Sequence, residues 1–157
     1  MNNVLIINGP GLADLAPYRD LHSSALTLSG IQEECESMCR QLGLELDFRQ
    51  TDNQEEMFRW IAKDSAAFGG VIINPVGPSR AAIQIYELYR SAIRMIANLK
   101  KPIIEVHLTN IYRQVEEGTQ PLHEPVGQMG FICGLGKYSY LLALQALARK
   151  LHPAVRA

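Results

Sequence analysis

The sequence predicts an α/β domain: a doubly wound, five-stranded parallel sheet with helices on both faces. Two observations carry this. Short apolar runs recur at 3–9, 44–50, 70–75 and 101–108, all but the second rich in valine and isoleucine, with a weaker run at 129–134. Strands buried on both faces read as the runs at 3–9 and 70–75 do, as near-continuous apolar stretches rather than alternating ones. Helical patterns fill the intervals, and strand–helix alternation implies βαβ units. The size agrees: 157 residues hold five such units, the dimensions of a flavodoxin-like fold. Nothing resembling a linker, repeat or low-complexity segment interrupts the chain, so residues 1–157 are read as a single domain.

Each element has its own justification. "NVLIING" opens the sheet. In 27–43, Ile31, Cys35, Met38, Cys39 and Leu42 recur at helical spacing, with Gly43 as the C-cap. "LELDFRQ" is the second strand. The stretch 54–70 carries Met57, Trp60, Ile61 and Ala67 on one helical face. "GGVIINP" is the third strand, and a long amphipathic helix is expected from about Ser79 to Lys101. "KPIIEVHL" is the fourth strand, "MGFICG" the fifth, and "KYSYLLALQALARKL" closes the domain as a helix.

Composition narrows the function. Charged residues make up 20% and the net charge is −1, so nothing in the total charge points to nucleic acid or a membrane surface. No apolar run approaches the roughly 18–20 residues that span a bilayer. The start lacks a basic n-region and a cleavage-like site, so no signal peptide is expected. The three cysteines read as reduced thiols of a cytoplasmic protein. Cys35 and Cys39 lie on an apolar helix face and read as core. His107 and His123 have no ligand-like spacing, so no metal is expected. Neither a phosphate-binding loop nor a serine-nucleophile elbow appears.

In a doubly wound sheet, ligands bind beyond the carboxyl ends of the strands. The first strand is followed by roughly 18 residues before the next helix, long against the usual 2–6. The stretch 12–24 reads either as a lid or as a surface loop; it holds Tyr18, Arg19, His22 and Ser23. Asn74, directly after the third strand, either caps a turn or contacts a substrate hydroxyl. Arg80 opens the following helix, against the dipole preference for cations at the other end; either an anion lies nearby or the arginine is solvated. In the fourth strand, Glu105 and His107 are two apart and share a face. A carboxylate beside an imidazole fixes its tautomer and suits it to general acid work. The alternative is a core histidine satisfied by Glu105. The backbone N–H groups of Leu108 and Thr109 follow, where they could bind an anion.

Taken together, "NGPGL" after the first strand, "FRQ" after the second, "INP" after the third, "EVHLTN" after the fourth and "ICGLGKYSYLLALQALA" at the end resemble the type II 3-dehydroquinate dehydratases, in order over essentially the whole chain. The resemblance implies a flavodoxin-like fold assembled as trimers or dodecamers. It implies elimination of water from 3-dehydroquinate without cofactor or metal, a small-molecule carboxylate substrate and a homo-oligomer. By the same resemblance His107 is the acid, Glu105 its partner, Leu108 and Thr109 the carboxylate nest and Asn74 a substrate-hydroxyl contact.

The chain departs from the family pattern at specific places. The family writes N-G-P-N-L-N, and here Gly11 stands for the second asparagine. An ungapped count puts Ser23 where the base tyrosine belongs and Tyr18 at the position of its activating arginine. Tyr18 and the adjacent Arg19 are the expected substitutes. Arg80 stands where the family carries a histidine. Gln114 stands at an arginine position, with Arg113 one place early as a substrate-binding candidate. The expectation is a lyase whose acid half is kept and whose base half is rearranged. The alternatives are a diverged enzyme acting on another small carboxylate, or a non-catalytic binding or assembly protein that keeps the fold.

Overall fold

The computed structural model describes residues 1–16, 25–75, 77, 101–110 and 130–153. Strands β1 (Asn3–Asn8), β2 (Glu45–Gln50), β3 (Gly70–Asn74), β4 (Ile103–His107) and β5 (Gly130–Cys133) form one sheet in the order β2-β1-β3-β4-β5. Every neighbouring pair is parallel. The chain winds one way from β1 to β2 and the other way from β3 to β5, so the order reverses between β1 and β3. That reversal opens a crevice at the carboxyl edge. Residues 79–100 of the expected helix lie outside the described residues, and Lys101 at its end is not helical.

Helices cover both faces. Helices α1 (Leu28–Leu42) and α3 (Tyr138–Leu151) pack on one side, where Val4, Ile6, Ile72, Ile104 and Val106 meet Ile31, Cys35, Ala143, Leu144 and Leu147. Helix α2 (Gln54–Ala62) packs on the other, where Leu5, Ile7, Val71, Ile73 and Ile103 meet Met57, Trp60 and Ile61. The interiors of β1, β3 and β4 are buried on both faces, which explains why their sequences do not alternate. Caps set the helix starts: Thr27 Oγ1 accepts from Gly30 N at 3.0 Å, and Asn53 Oδ1 accepts from Glu56 N at 3.0 Å. Each satisfies an otherwise unpaired first-turn amide. Gly43 closes α1, as its sequence suggests.

The second helix is shorter than its pattern predicts. It ends at Ala62, and Asp64–Ala67 form a 3₁₀ turn. The side chains explain the break. Ser65 Oγ donates to Ile61 O at 2.7 Å, the local bond by which serine bends helices. Asp64 is drawn to Arg49 Nη1 at 2.6 Å. Lys101 Nζ donates to the carbonyls of Ser65 and Phe68, both at 2.6 Å. The tightened turn presents those carbonyls to a cation, and the apolar spacing alone cannot show that partner.

The two helix cysteines sit in the core as expected, Cys35 unexposed and Cys39 2% exposed. Burial pushes the Cys35 thiol up to about 12 and the Cys39 thiol up to about 11, from 9.0. Above pH 9 the unfolded chain releases these protons while the folded chain keeps them. The folded state then binds more protons, so stability falls as pH rises. The contribution is fully present below about pH 9 and is lost through about 11 and about 12. By about pH 10.5 it amounts to on the order of 2 kcal/mol per thiol. Urea unfolding at pH 8 and pH 10.5 should show this loss, and Cys35→Ala with Cys39→Ala should flatten it. An equal loss in the double variant would place the alkaline sensitivity elsewhere.

Candidate active site at the carboxyl edge

Strand β1 leaves the sheet into "GPGL", and its exit is locked to that of β3. Gly9 N donates to Asn74 O at 2.8 Å, and Gly77 N donates to Pro10 O at 2.7 Å. The two exits run so close that a Cβ on Gly9 would lie 2.1 Å from Pro75 O, and one on Gly77 would lie 2.6 Å from the Gly11 backbone. Gly11 has φ +85 and donates its N–H to Asp52 Oδ1 at 3.1 Å. Glycine takes this left-handed conformation freely, and asparagine is among the few other residues that tolerate it. Exchanging asparagine for glycine here therefore keeps the backbone path and removes a carboxamide.

The stretch read as a lid from residue 12 is anchored at its start. Leu12 is unexposed and Leu15 is 2% exposed, both within the core under α1 and α3. Two leucines three apart in a turn bury together, and that ties the first residues down. A closing segment would be hinged no earlier than Ala16. Tyr18, Arg19, His22 and Ser23 lie outside the described residues, as do Arg80, Arg113 and Gln114.

Glu105 and His107 lie where the sequence placed them, on one face of β4, 3% and 7% exposed. His107 Nε2 is 3.5 Å from Glu105 Oε1. The imidazole packs at 5.6 Å, centroid to centroid, against Phe131 of β5. Ile103, on the same strand face, belongs to the α2-side core. The next two positions of that face, Glu105 and His107, are thus polar where β1 and β3 carry leucine, valine and isoleucine. A buried carboxylate beside an imidazole is an expensive arrangement for stability alone, and such pairs concentrate at functional sites.

Beyond His107 the backbone is held by the loop leading into α3. His107 O accepts from Gly134 N at 3.2 Å and Ser139 Oγ at 3.1 Å, and Leu108 O accepts from Gly136 N at 2.9 Å. No peptide bond here is cis, and in a planar trans peptide the N–H points opposite to the C=O. The Leu108 and Thr109 N–H groups are therefore both turned away from the 134–139 loop. Successive amides presented on one side form a concavity suited to an anion.

The asparagines occupy the other sheet face. In β1 and β3, Ile6 and Ile72 belong to the α1/α3 core, and Asn8 and Asn74 follow two residues later. They pair with each other in the ladder and converge on Tyr140 of α3. Tyr140 Oη donates to Asn8 Oδ1 at 2.6 Å and accepts from Asn74 Nδ2 at 2.7 Å. Asn8 Nδ2 donates to Arg49 O at 2.9 Å. All three residues are at most 1% exposed. Burial raises the Tyr140 phenol pKa further above its ordinary value, so the hydroxyl stays a neutral donor. Asn74 is thus adjacent to β4, where Ile73 pairs with Glu105, but its side chain leaves the sheet opposite to His107. Both end their strands, so the sheet does not separate them further along.

Tyr140 is absent from the residues singled out in the sequence, although a signal was there. It lies three, four and seven residues before Ala143, Leu144 and Leu147 on the buried side of α3, and a buried tyrosine ordinarily needs a partner for its hydroxyl. Among the described residues no cluster of three histidine, cysteine or acidic side chains could hold a metal ion. None of the described helices is long and apolar enough to cross a membrane.

Comparison with known proteins agrees with this architecture. Residues 2–148 match the family model described as dehydroquinase class II. The chain is 37% identical over 151 residues to a 3-dehydroquinate dehydratase of Mesorhizobium japonicum, covering 96% of this chain and 100% of that protein. It is 35% identical over 148 residues to a 3-dehydroquinate dehydratase of Chelativorans sp., covering 94% and 97%. The crystal structure of the type II dehydroquinase from Propionibacterium acnes superposes with a TM-score of 0.70 at 32% identity, covering 94% of this chain and 97% of that one. A 3-dehydroquinate dehydratase-like protein from Bifidobacterium longum gives 0.67 at 29%, covering 97% and 99%. With the sheet order, the strand-end residues and these matches in agreement, the chain belongs to the class II dehydroquinase family.

Proposed function

We propose that this chain is a hydro-lyase that converts 3-dehydroquinate to 3-dehydroshikimate, with His107 as the acid that protonates the departing hydroxyl. The observation that carries the reading is the buried Glu105–His107 pair at the end of β4, followed by two amides turned to one side. In this reading Glu105 orients the imidazole, and the Leu108 and Thr109 amides hold the substrate carboxylate. Asn74 accepts from or donates to a ring hydroxyl. Arg80 and Arg113 supply further cationic contacts. Tyr18, activated by Arg19, removes the proton in place of the tyrosine whose position Ser23 occupies. The relatives named as 3-dehydroquinate dehydratases match over nearly their full length, which supports the same reaction here. We place the reaction in the cytoplasm.

The test follows 3-dehydroshikimate, which absorbs in the ultraviolet, after 3-dehydroquinate is added. Formation by the unmutated protein and its loss in Tyr18→Phe are expected. Absence of turnover in the unmutated protein would overturn the reading. Robust turnover in Tyr18→Phe would overturn the assignment of the base.

The same reading includes a homo-oligomer, a trimer or a dodecamer built from trimers. Leu135, Tyr138 and Leu142 are 37%, 37% and 43% exposed, an apolar row at helical spacing on and before α3. Burial of such a row against another copy would stabilise an assembly. Sedimentation should give a multiple of 17.5 kDa; a monomer at micromolar concentration would contradict it.

A further inference from the structure

The hydrogen bonds around Tyr140 have a direction that the chemistry of the groups imposes. The Arg49 carbonyl can only accept, so Asn8 must present its Nδ2 amine to it, at 2.9 Å. Asn8 Oδ1 then faces Tyr140 and takes the hydroxyl's single proton, at 2.6 Å. With that proton committed, the Tyr140 oxygen can only accept, and Asn74 must present its Nδ2 amine at 2.7 Å. The Asn74 carboxamide oxygen therefore lies on the side away from Tyr140. A backbone carbonyl in β2 thus decides, through two side chains, which end of the Asn74 amide faces Tyr140. An asparagine amide otherwise offers donor and acceptor ends of nearly equal shape.

We propose that Tyr140 is a positioning residue: its hydroxyl holds the Asn74 amide by its nitrogen and so directs the oxygen away from Tyr140, as an acceptor for a hydroxyl of a cyclic hydroxy-carboxylate. This rests on the reading of Asn74 as a hydroxyl contact and adds what sets its orientation. Fixing the amide in advance removes the cost of choosing between its two orientations on binding. The same reasoning explains why a tyrosine hydroxyl is kept in a core position that phenylalanine would fill equally well.

The test uses two probes measured by calorimetry: quinate, and cyclohexanecarboxylate, which has the ring and the carboxylate without hydroxyls. The unmutated protein should prefer quinate. Tyr140→Phe should weaken quinate by about tenfold, the loss expected for one well-placed hydrogen bond, and leave cyclohexanecarboxylate within about twofold. In an Asn74→Ala background, Tyr140→Phe should change quinate affinity less than about twofold, because the tyrosine acts through that amide. Should Tyr140→Phe fail to fold, Asn8→Ala serves instead. It frees the Tyr140 proton to donate toward Asn74, which turns the amide round, and the same quinate-selective loss is expected. Equal weakening of both probes, or an undiminished effect without Asn74, would reduce Tyr140 to a purely structural role and overturn the proposal. An unmutated protein that binds both probes equally would overturn the proposal and leave the carboxylate site standing. One that binds neither would overturn the functional reading, and the proposal with it.

Discussion

His107→Ala is expected to lower turnover of 3-dehydroquinate by roughly 10²–10⁴-fold, the share that general acid–base catalysis supplies. The imidazole is the last side chain of β4, held between Glu105 at 3.5 Å and the Phe131 ring at 5.6 Å. Its backbone is fixed independently of its side chain, because His107 O is bonded to Gly134 N and Ser139 Oγ. Alanine therefore removes the proton donor without releasing the strand end. The Leu108 and Thr109 amides keep their orientation, so carboxylate binding should persist and the loss should fall on kcat rather than KM. His107→Gln separates the two roles of the ring. It restores a hydrogen-bonding group but cannot deliver a proton, so it should be as inactive as the alanine variant. A His107→Ala protein within about threefold of the unmutated rate would remove histidine from the acid role and leave the Glu105–His107 pair as core structure.

Much of the sheet was legible in the sequence because buried parallel strands carry a local signal. The apolar runs at 3–9, 44–50 and 70–75 became β1, β2 and β3 within a residue or two. The pairing of Glu105 with His107 on one face follows from strand alternation alone. Other features depend on contacts distant in sequence, and local patterns do not encode them. The break after Ala62 needs Arg49 and Lys101, both brought in by neighbouring elements. The anchoring of Leu12 and Leu15 depends on the core beneath α1 and α3. That Asn74 and His107 leave opposite faces depends on the register of β3 against β4, where Ile73 meets Glu105. The link from Asn8 to Tyr140 spans 132 positions, and no spacing rule reaches that far. In the sequence the glycine at 11 marks a lost carboxamide, and its φ of +85 adds the conformational reason why glycine can stand there.

Gly9→Ala is expected to destabilise the fold by at least about 3 kcal/mol, beyond ordinary overpacking. Gly9 sits at the reversal of strand order, between β1 and the exit of β3. An added Cβ would meet Pro75 O at 2.1 Å and Pro75 C at 2.7 Å, with Met57 Sδ at 2.8 Å. The methionine can turn away, but the backbone carbonyl cannot move without carrying Asn74 and Pro75 with it. Relief requires the two exits to part, and parting breaks the 2.8 Å bond from Gly9 N to Asn74 O. The neighbouring contact of Gly77 with Gly11, where a Cβ would come within 2.6 Å, blocks the alternative of sliding one exit past the other. The cost should therefore appear in two measurements at once. Urea unfolding should show a lower midpoint with an unchanged slope, since the core itself is intact. The calorimetric preference for quinate over cyclohexanecarboxylate should also shrink, because displacing Asn74 moves the amide that Tyr140 orients. Gly43→Ala serves as the comparison. That position has nothing within 4 Å of an added Cβ, but a φ of +67, so it should cost only about 1 kcal/mol of backbone strain and leave the probe preference unchanged. A Gly9→Ala protein as stable as Gly43→Ala would show that the exits of β1 and β3 are not locked together.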